Sequence, residues 1–116
     1  MAKETKIEYQ VTLTFDVDAK GDSSVYEQIS ELLESQGLSQ SIGDSDLPEN
    51  LYFGIRVGKT SYEGEVLLQS DIKARADLMS QYYWKLVHDF FETKKLKHKI
   101  FVITSRRSTS AVRRSK

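Results

Sequence analysis

The clearest pattern in this sequence is a strict alternation of apolar and polar residues near the N-terminus. A period of two is typical of a β-strand that buries one face and exposes the other. The apolar positions are Ile7, Tyr9, Val11, Leu13, Phe15 and Val17, and the polar positions between them run from Glu8 to Asp18. The pattern therefore predicts a first strand with its apolar face on the core.

A second alternation predicts another strand over residues 51–58. Its apolar positions are Leu51, Phe53, Ile55 and Val57, and they alternate with Tyr52, Gly54, Arg56 and Gly58. We expect the apolar set to face the core. Tyr52 and Arg56 are then expected on the open face of the sheet beside Thr12 and Thr14.

Two segments have the spacing of amphipathic helices. Val25, Ile29, Leu32 and Leu33 predict a helix over residues 24–36 that ends before Gly37. A longer helix is predicted from residue 70 or 71 to about residue 94, because its apolar residues recur at steps of three and four. Its predicted core stripe is Ile72, Ala76, Met79, Tyr83, Leu86 and Phe90, with Tyr82, Trp84 and Phe91 elsewhere around the helix.

The order of elements predicts the fold class. Residues 38–42 suggest a short, weak strand, and residues 100–103 suggest a last strand that is apolar on both faces. The order β, α, weak β, β, α, β predicts an α+β protein. We expect a ferredoxin-like two-layer sandwich, with an antiparallel four-stranded sheet and both helices on one face.

Length and composition fit one small globular domain. The chain has 116 residues, of which 39% are hydrophobic and 29% charged, and it contains no cysteine. We expect one domain over residues 1–104 and a disordered tail over residues 105–116. Because no apolar run is long enough to span a bilayer or to form a signal segment, we expect a cytoplasmic protein without membrane contact.

Charge is distributed unevenly along the chain. Residues 1–93 contain all 17 acidic residues and carry a formal charge of −9, whereas residues 94–116 contain no acid and carry +9. Such an asymmetry is typical of a chain that contacts a polyanion or an acidic partner. We therefore expect RNA contacts in the C-terminal part, together with Arg56. The basic residues concerned there are Lys97, Lys99, Arg106, Arg107, Arg113 and Arg114.

Several short segments resemble one known family. They are Tyr9, Val11, Phe15 and Asp16, then Ser23 to Val25, Leu32 and Leu33, Leu38 and Ser39, Leu47 and Pro48, and the strand at Phe53. Over residues 5–58 they are similar to the GhoS family of endoribonuclease antitoxins from type V toxin-antitoxin systems. That family has a ferredoxin-like fold like that of the nuclease subunit of CRISPR adaptation. The resemblance implies an antitoxin that cleaves or binds RNA.

The same resemblance makes Asp16 a candidate catalytic and metal-binding residue. In the CRISPR subunit family, a carboxylate at the end of the first strand binds metal near a dimer axis. Two such carboxylates, brought together in a homodimer, could share a hydrated Mg²⁺ that orients a phosphodiester. The alternative is that Asp16, Asp18 and Asp22 are only the solvated end of a strand and its turn.

His98 is the second candidate catalytic residue. Histidine changes its protonation near neutral pH, so His98 could act as general base in metal-free RNA cleavage while Lys97 and Lys99 hold phosphate. A plain surface or phosphate-contacting role is the alternative. His88 lies among apolar residues of the second helix and is expected to be structural, and the sequence shows no paired-histidine signature of RNA cleavage.

The two-faced apolarity of residues 100–103 indicates an interface. An edge strand in this topology would otherwise expose one apolar face, so we expect a homodimer. A different function also remains open. The chain could be a non-catalytic interaction protein, such as a phage-type inhibitor whose acidic body mimics nucleic acid and blocks a basic site on a protein target.

Overall fold

The computed structural model describes residues 3–42, 45–46 and 50–109. Its strands are β1 Lys3–Val17, β2 Ser41–Ile42, β3 Ser45–Asp46, β4 Leu51–Tyr62 and β5 His98–Arg106, and its helices are α1 Ser24–Ser35 and α2 Gln69–Thr93. A 3-10 turn, Arg107–Thr109, follows β5. β5 therefore takes in Ser105 and Arg106, which the sequence had placed in the tail.

The main sheet of the described residues has three strands, so the prediction of a four-stranded ferredoxin-like sheet is wrong. The strand order is β4-β1-β5, and both pairs are antiparallel. Residues 38–42 touch this sheet through one bridge, in which Ser39 and Phe53 exchange two backbone hydrogen bonds of 2.9 and 2.8 Å. After that bridge, β2 pairs with β3 in a separate two-stranded hairpin instead of continuing along β4.

The core lies between one face of this sheet and the two helices. The alternation predicted for β1 is confirmed, because Ile7, Tyr9, Val11, Leu13, Phe15 and Val17 are all buried. α1 adds Val25, Ile29 and Leu33 to the same cluster, as its spacing predicted. The fold is thus α+β with two layers. β1 is the central strand, and the helices cover one of its two faces.

The two faces of β4 are the reverse of those predicted. Tyr52, Gly54, Gly58 and Thr60 are buried towards the helices, whereas Val57 is 60% exposed on the opposite face. Register explains this orientation, since Tyr52 pairs with Leu13, and directly paired residues lie on one face.

Close approach explains why glycine occupies that buried face. A Cβ on Gly54 would lie 2.1 Å from the carbonyl oxygen of Gly37, and one on Gly58 would lie 2.4 Å from Met79 Cε. The backbone after α1 can therefore approach β4 this closely only because position 54 lacks a side chain, whereas at position 58 the flexible end of Met79 would have to shift. Counting apolar residues on each face could not detect this.

The buried stripe of α2 follows the prediction only in its first half. Ile72, Ala76, Met79 and Tyr83 are buried, but the stripe then continues by fours to Val87 and Phe91. Leu86 and Phe90, which the sequence placed in the core, are half-buried. Phe91 is fully buried and packs edge-to-face on Phe15, with their ring centroids 5.2 Å apart.

The buried tyrosine hydroxyl groups all have hydrogen-bond partners. The Tyr9 hydroxyl lies 2.7 Å from Thr60 Oγ1, Tyr52 bonds to the Ser30 hydroxyl, and Tyr83 donates to the carbonyl oxygen of Gln36 at 2.8 Å. Burial raises the pKa of both Tyr52 and Tyr83 above the usual value for tyrosine. The three buried tyrosines are therefore satisfied, whereas Arg75 Nε is a buried side-chain nitrogen without a hydrogen-bond partner among the described residues.

Candidate functional site at the histidine end of the sheet

The last residues of β1 and the first residues of β5 form one end of the sheet. Asp16 pairs with Lys99 and Val17 pairs with His98, and the Asp18 amide donates to the carbonyl oxygen of Lys97 at 2.9 Å. Because side chains alternate along a strand, Asp16 and Lys99 share the open face, whereas His98 lies on the helix face.

His98 is held in one tautomer by its own strand. Its Nδ1 lies 2.9 Å from the carbonyl oxygen of Leu96, which can only accept, so Nδ1 carries the proton. In the neutral ring Nε2 then carries the lone pair, and this atom lies 3.1 Å from Nδ1 of His88. The His98 side chain is only 10% exposed, so solvent competes little for these bonds.

His88 approaches from α2 and is fixed by its neighbours. Its ring stacks on Trp84 with centroids 4.5 Å apart and an angle of 13° between the planes. Since His98 Nε2 has no proton to give, His88 must donate from Nδ1, and its own Nε2 then carries the lone pair. The hydrogen bonds thus run in one direction from His88 through His98 to the Leu96 carbonyl.

Glu92 completes a cluster with the two histidines. It follows His88 by four residues, so both side chains lie on one side of α2. Glu92 Oε1 is 4.0 Å from His98 Nε2, and the Glu92 side chain is 60% exposed. One donor atom from each of the three residues lies within 4.8 Å of the other two.

Grooves open on both sides of the histidine pair. The first, which we call the Asp16 groove, is lined by Asp16, Val17, Asp18, Lys97, His98 and Lys99. The second, which we call the Trp84 groove, is lined by Ser80, Gln81, Trp84, Lys85, His88, Asp89 and Val102. The pair can therefore exchange protons with a molecule bound in either groove. The lysines of each groove are matched in number by aspartates, Asp16 and Asp18 in the first groove and Asp89 in the second.

The structure brings only some of the predicted site residues together. Asp16, Lys97, His98 and Lys99 all line the Asp16 groove. Asp18 lines this groove too, and the carboxylates of Asp18 and Asp22 accept backbone bonds of 3.0 Å from Lys20 and Ser24, as expected of turn residues. Asp16 is exposed, and the proposed Mg²⁺ site there needs a second carboxylate from another subunit.

The remaining predicted nucleic-acid contacts lie farther along the sheet, away from this groove. Arg56 and Arg106 flank Tyr9 in one row across the three strands, and Arg107 bonds to Glu8. Eight residues of β1 separate this row from Val17, which corresponds to about 26 Å at about 3.3 Å per residue. Arg113 and Arg114 lie outside the described residues.

Arg56 does not lie on the open face, where the sequence placed it. Its side chain faces the helices and lines a groove of about 240 Å³ together with Arg75, Tyr82 and Tyr83. Tyr52 is also on the helix side, where it is buried. Of the predicted open-face platform, Thr12 and Thr14 remain, since they alternate with the buried residues of β1.

The histidine pair was missed by sequence reasoning. His88 was expected to be structural, and no paired-histidine arrangement was expected, but the two rings are in hydrogen-bond contact. One signal was present: His88 and Glu92 have the i, i+4 spacing that places two potential ligands on one helix face. The partner, His98, is ten residues away across a turn, so only the packing of β5 against α2 brings it in.

Comparisons with known proteins provide no assignment. No protein-family model, no curated protein and no solved structure matches this chain. Among the described residues, neither helix combines the length and apolarity that crossing a bilayer requires. A functional proposal must therefore rest on the geometry of the chain itself.

Proposed function

We propose that this chain acts on RNA in the cytoplasm, as an endoribonuclease or RNA-binding regulator of the GhoS-like antitoxin type. The observation that carries the proposal is the His88–His98 pair, which lies between two grooves that contain lysines. Lysines attract the phosphates of RNA, and paired histidines can move the proton that its cleavage requires. The net charge of +9 in residues 94–116 supports the same substrate class.

The direction of the hydrogen bonds assigns roles to the two histidines. His88 Nε2 is the outer atom of the chain that ends at the Leu96 carbonyl, so it is the candidate proton acceptor. His98 is then a positioning residue that fixes the His88 tautomer and stabilises its charged form. Sequence reasoning had assigned the general base to His98 itself.

The proposed reaction is transesterification within RNA. His88 Nε2 takes the proton of a ribose 2′-hydroxyl, and the 2′-oxygen bonds to the adjacent phosphorus. The bond from phosphorus to the 5′-oxygen breaks, and that oxygen takes a proton from the charged histidine pair. The products are a 2′,3′-cyclic phosphate and a 5′-hydroxyl end.

The test uses end-labelled single-stranded RNA and the full-length protein. We expect cleavage that resists EDTA and falls by about 10²- to 10⁴-fold in both His88→Gln and His98→Gln. The first change removes the proton acceptor, and the second removes the residue that fixes its tautomer and stabilises its charged form. Asp77→Asn is the matched control, since Asp77 is an exposed acid of the same helix and lines neither groove. Cleavage that EDTA and Asp16→Asn both abolish would replace this mechanism with Mg²⁺ at Asp16.

RNA binding is measured separately from cleavage. Replacing Lys97 and Lys99 by alanine should weaken binding and reduce the slope of its salt dependence by about 0.7 for each phosphate that is no longer neutralised. Lys73→Ala is the control, because Lys73 is exposed near the start of α2 and lines neither groove. Wild-type protein that neither binds nor cleaves RNA at low salt would overturn the proposal.

A second function is favoured by the open face of the sheet. Val57, Phe101 and Ile103 are 60%, 59% and 53% exposed there, and exposed apolar surface of this kind typically marks a protein interface. We propose a homodimer through this face. If RNA binding fails and the face instead binds a heterologous protein, the chain is a non-catalytic interaction protein such as a phage-type inhibitor.

A further inference from the structure

We propose that His88, Glu92 and His98 form a binding site for a divalent transition-metal ion, with Zn²⁺ as the best fit. The three donor atoms already lie within 4.8 Å of one another, so one ion can reach all three after small side-chain rotations. The inference rests on this geometry alone and does not depend on the RNA proposal.

The spacing of the donors suits a tetrahedral ion. Zn²⁺ binds imidazole nitrogen at about 2.0–2.1 Å, which places two tetrahedral nitrogen ligands about 3.3 Å apart. His88 Nδ1 and His98 Nε2 are 3.1 Å apart. Glu92 Oε1 is 4.0 Å from His98 Nε2, and its exposed side chain is free to rotate the remaining distance.

The surroundings orient the first ligand as metal sites require. His98 donates its Nδ1 proton to the Leu96 carbonyl, and this type of outer hydrogen bond directs the other ring nitrogen of a histidine ligand towards its ion. Trp84 and Phe91 pack against His88 and His98 respectively, which restricts rotation of both rings. The ion would take the place of the proton between the rings, and His88 would then carry its proton on Nε2.

The donor set selects the class of ion. Imidazole suits Zn²⁺, Cu²⁺, Ni²⁺ and Fe²⁺, whereas Mg²⁺ prefers oxygen ligands. Two histidines and one carboxylate leave at least one coordination position for water, as in catalytic zinc sites rather than closed structural ones. This site is therefore chemically distinct from the Mg²⁺ site predicted at Asp16.

The test is titration of chelator-treated, full-length protein with ZnCl₂ by calorimetry and with CoCl₂ by visible absorption. We expect one ion per chain and the intense absorption of tetrahedral Co²⁺. As a reference, loss of the hydrogen-bond partner of a ligand, with the ligand itself kept, weakens metal binding by about 10- to 100-fold. His88→Gln and His98→Gln should each exceed that effect, and Glu92→Gln should fall within it because water can replace the carboxylate.

Asp77→Asn is the matched control, and it should bind both ions as wild type does, because Asp77 lies on the same helix outside the donor cluster. Circular dichroism verifies that each variant is folded. If His98→Gln is unstable, the titration of His88→Gln alone tests the inference. Zn²⁺ binding that persists in folded His88→Gln, or no binding at millimolar ZnCl₂, would overturn the inference. Because a bound ion would leave the proton on His88 Nε2, cleavage is expected of the ion-free protein and is measured in EDTA. Absence of Zn²⁺ binding and absence of RNA cleavage are therefore separate results, and the two proposals can fail separately.

Discussion

Both faces of the sheet carry apolar side chains, but the helices pack against only one of them. On the helix face, the apolar residues of the central strand are buried beneath α1 and α2. On the open face, the centre of β1 is polar, and the apolar residues lie on the two edge strands. They are Leu51, Phe53, Ile55 and Val57 on β4 and Phe101 and Ile103 on β5.

This difference indicates which residues serve folding and which serve association. Complete burial of a large apolar side chain is worth about 1.5–3 kcal/mol, and the helix face has already gained that free energy. Phe101 and Ile103 are still more than half exposed, so a partner that covers them could gain part of it. The helix face therefore stabilises the monomer, and the open face is available for a second chain.

The largest expected effect is on the covered face. Leu13 is fully buried at the centre of the sheet, and we expect Leu13→Ala to lower the free energy of unfolding by about 2–5 kcal/mol because it leaves a cavity. Thr12→Ala, one residue away on the open face, should change it by less than about 0.5 kcal/mol. Urea unfolding measures both variants. Equal destabilisation at the two positions would contradict the comparison.

A smaller effect is expected from the buried hydroxyl pair on the same face. Thr60→Val should cost about 1–3 kcal/mol, because it leaves the buried Tyr9 hydroxyl without its 2.7 Å partner. Tyr9→Phe combined with Thr60→Val removes both polar groups and should recover part of that stability. A double-mutant cycle by urea unfolding provides the measurement. Strictly additive effects would show that the two hydroxyls are not coupled.

Sequence reasoning predicted the covered face of β1 well because its alternation is unbroken. It failed for β4, where register and two glycines place Tyr52 inward and Val57 outward. It also failed for the fourth strand, since backbone pairing beyond the Ser39–Phe53 bridge is not encoded in a short apolar run. Each failure depends on contacts between distant segments, which local patterns do not contain.

The candidate site also contains residues that sequence reasoning selected and residues that it missed. Asp16, Lys97, His98 and Lys99 were selected from their positions in the chain, and they do share one groove. His88 and Glu92 were not selected, because their role depends on the packing of β5 beside α2. The basic residues had been treated as one group, but Arg56 and Arg106 lie in the row of Tyr9, and Arg107 follows Arg106, well away from this groove.

An alkaline pH effect is expected from the covered face. Burial raises the pKa of Tyr52 and Tyr83, so the folded state favours their neutral forms. Their contribution is fully present below about pH 10, the usual pKa of tyrosine, and is lost as pH rises above it. Above that pH, the free energy of unfolding should fall by at most about 1.4 kcal/mol per pH unit for each tyrosine.

Phenylalanine variants isolate this pH effect. Tyr83→Phe should reduce the alkaline loss of stability, because it removes one group that must remain neutral in the fold. Tyr82→Phe is the control, since Tyr82 is exposed on the adjacent position of α2. Unfolding free energies at neutral pH and above pH 10 give the comparison. An alkaline slope that is the same in all three proteins would exclude Tyr83 as its source.

The smallest effect on stability is expected on the open face, where association should change instead. Ile103 is 53% exposed, so Ile103→Asp should cost the monomer less than about 1 kcal/mol. The same change places a charge in the proposed homodimer interface and should yield monomers by sedimentation. Val102→Asp, one residue away on the helix face, should instead unfold the domain, since Val102 packs against the core. A wild-type protein that is already monomeric at micromolar concentration would contradict the homodimer, and the open face would then require a different partner.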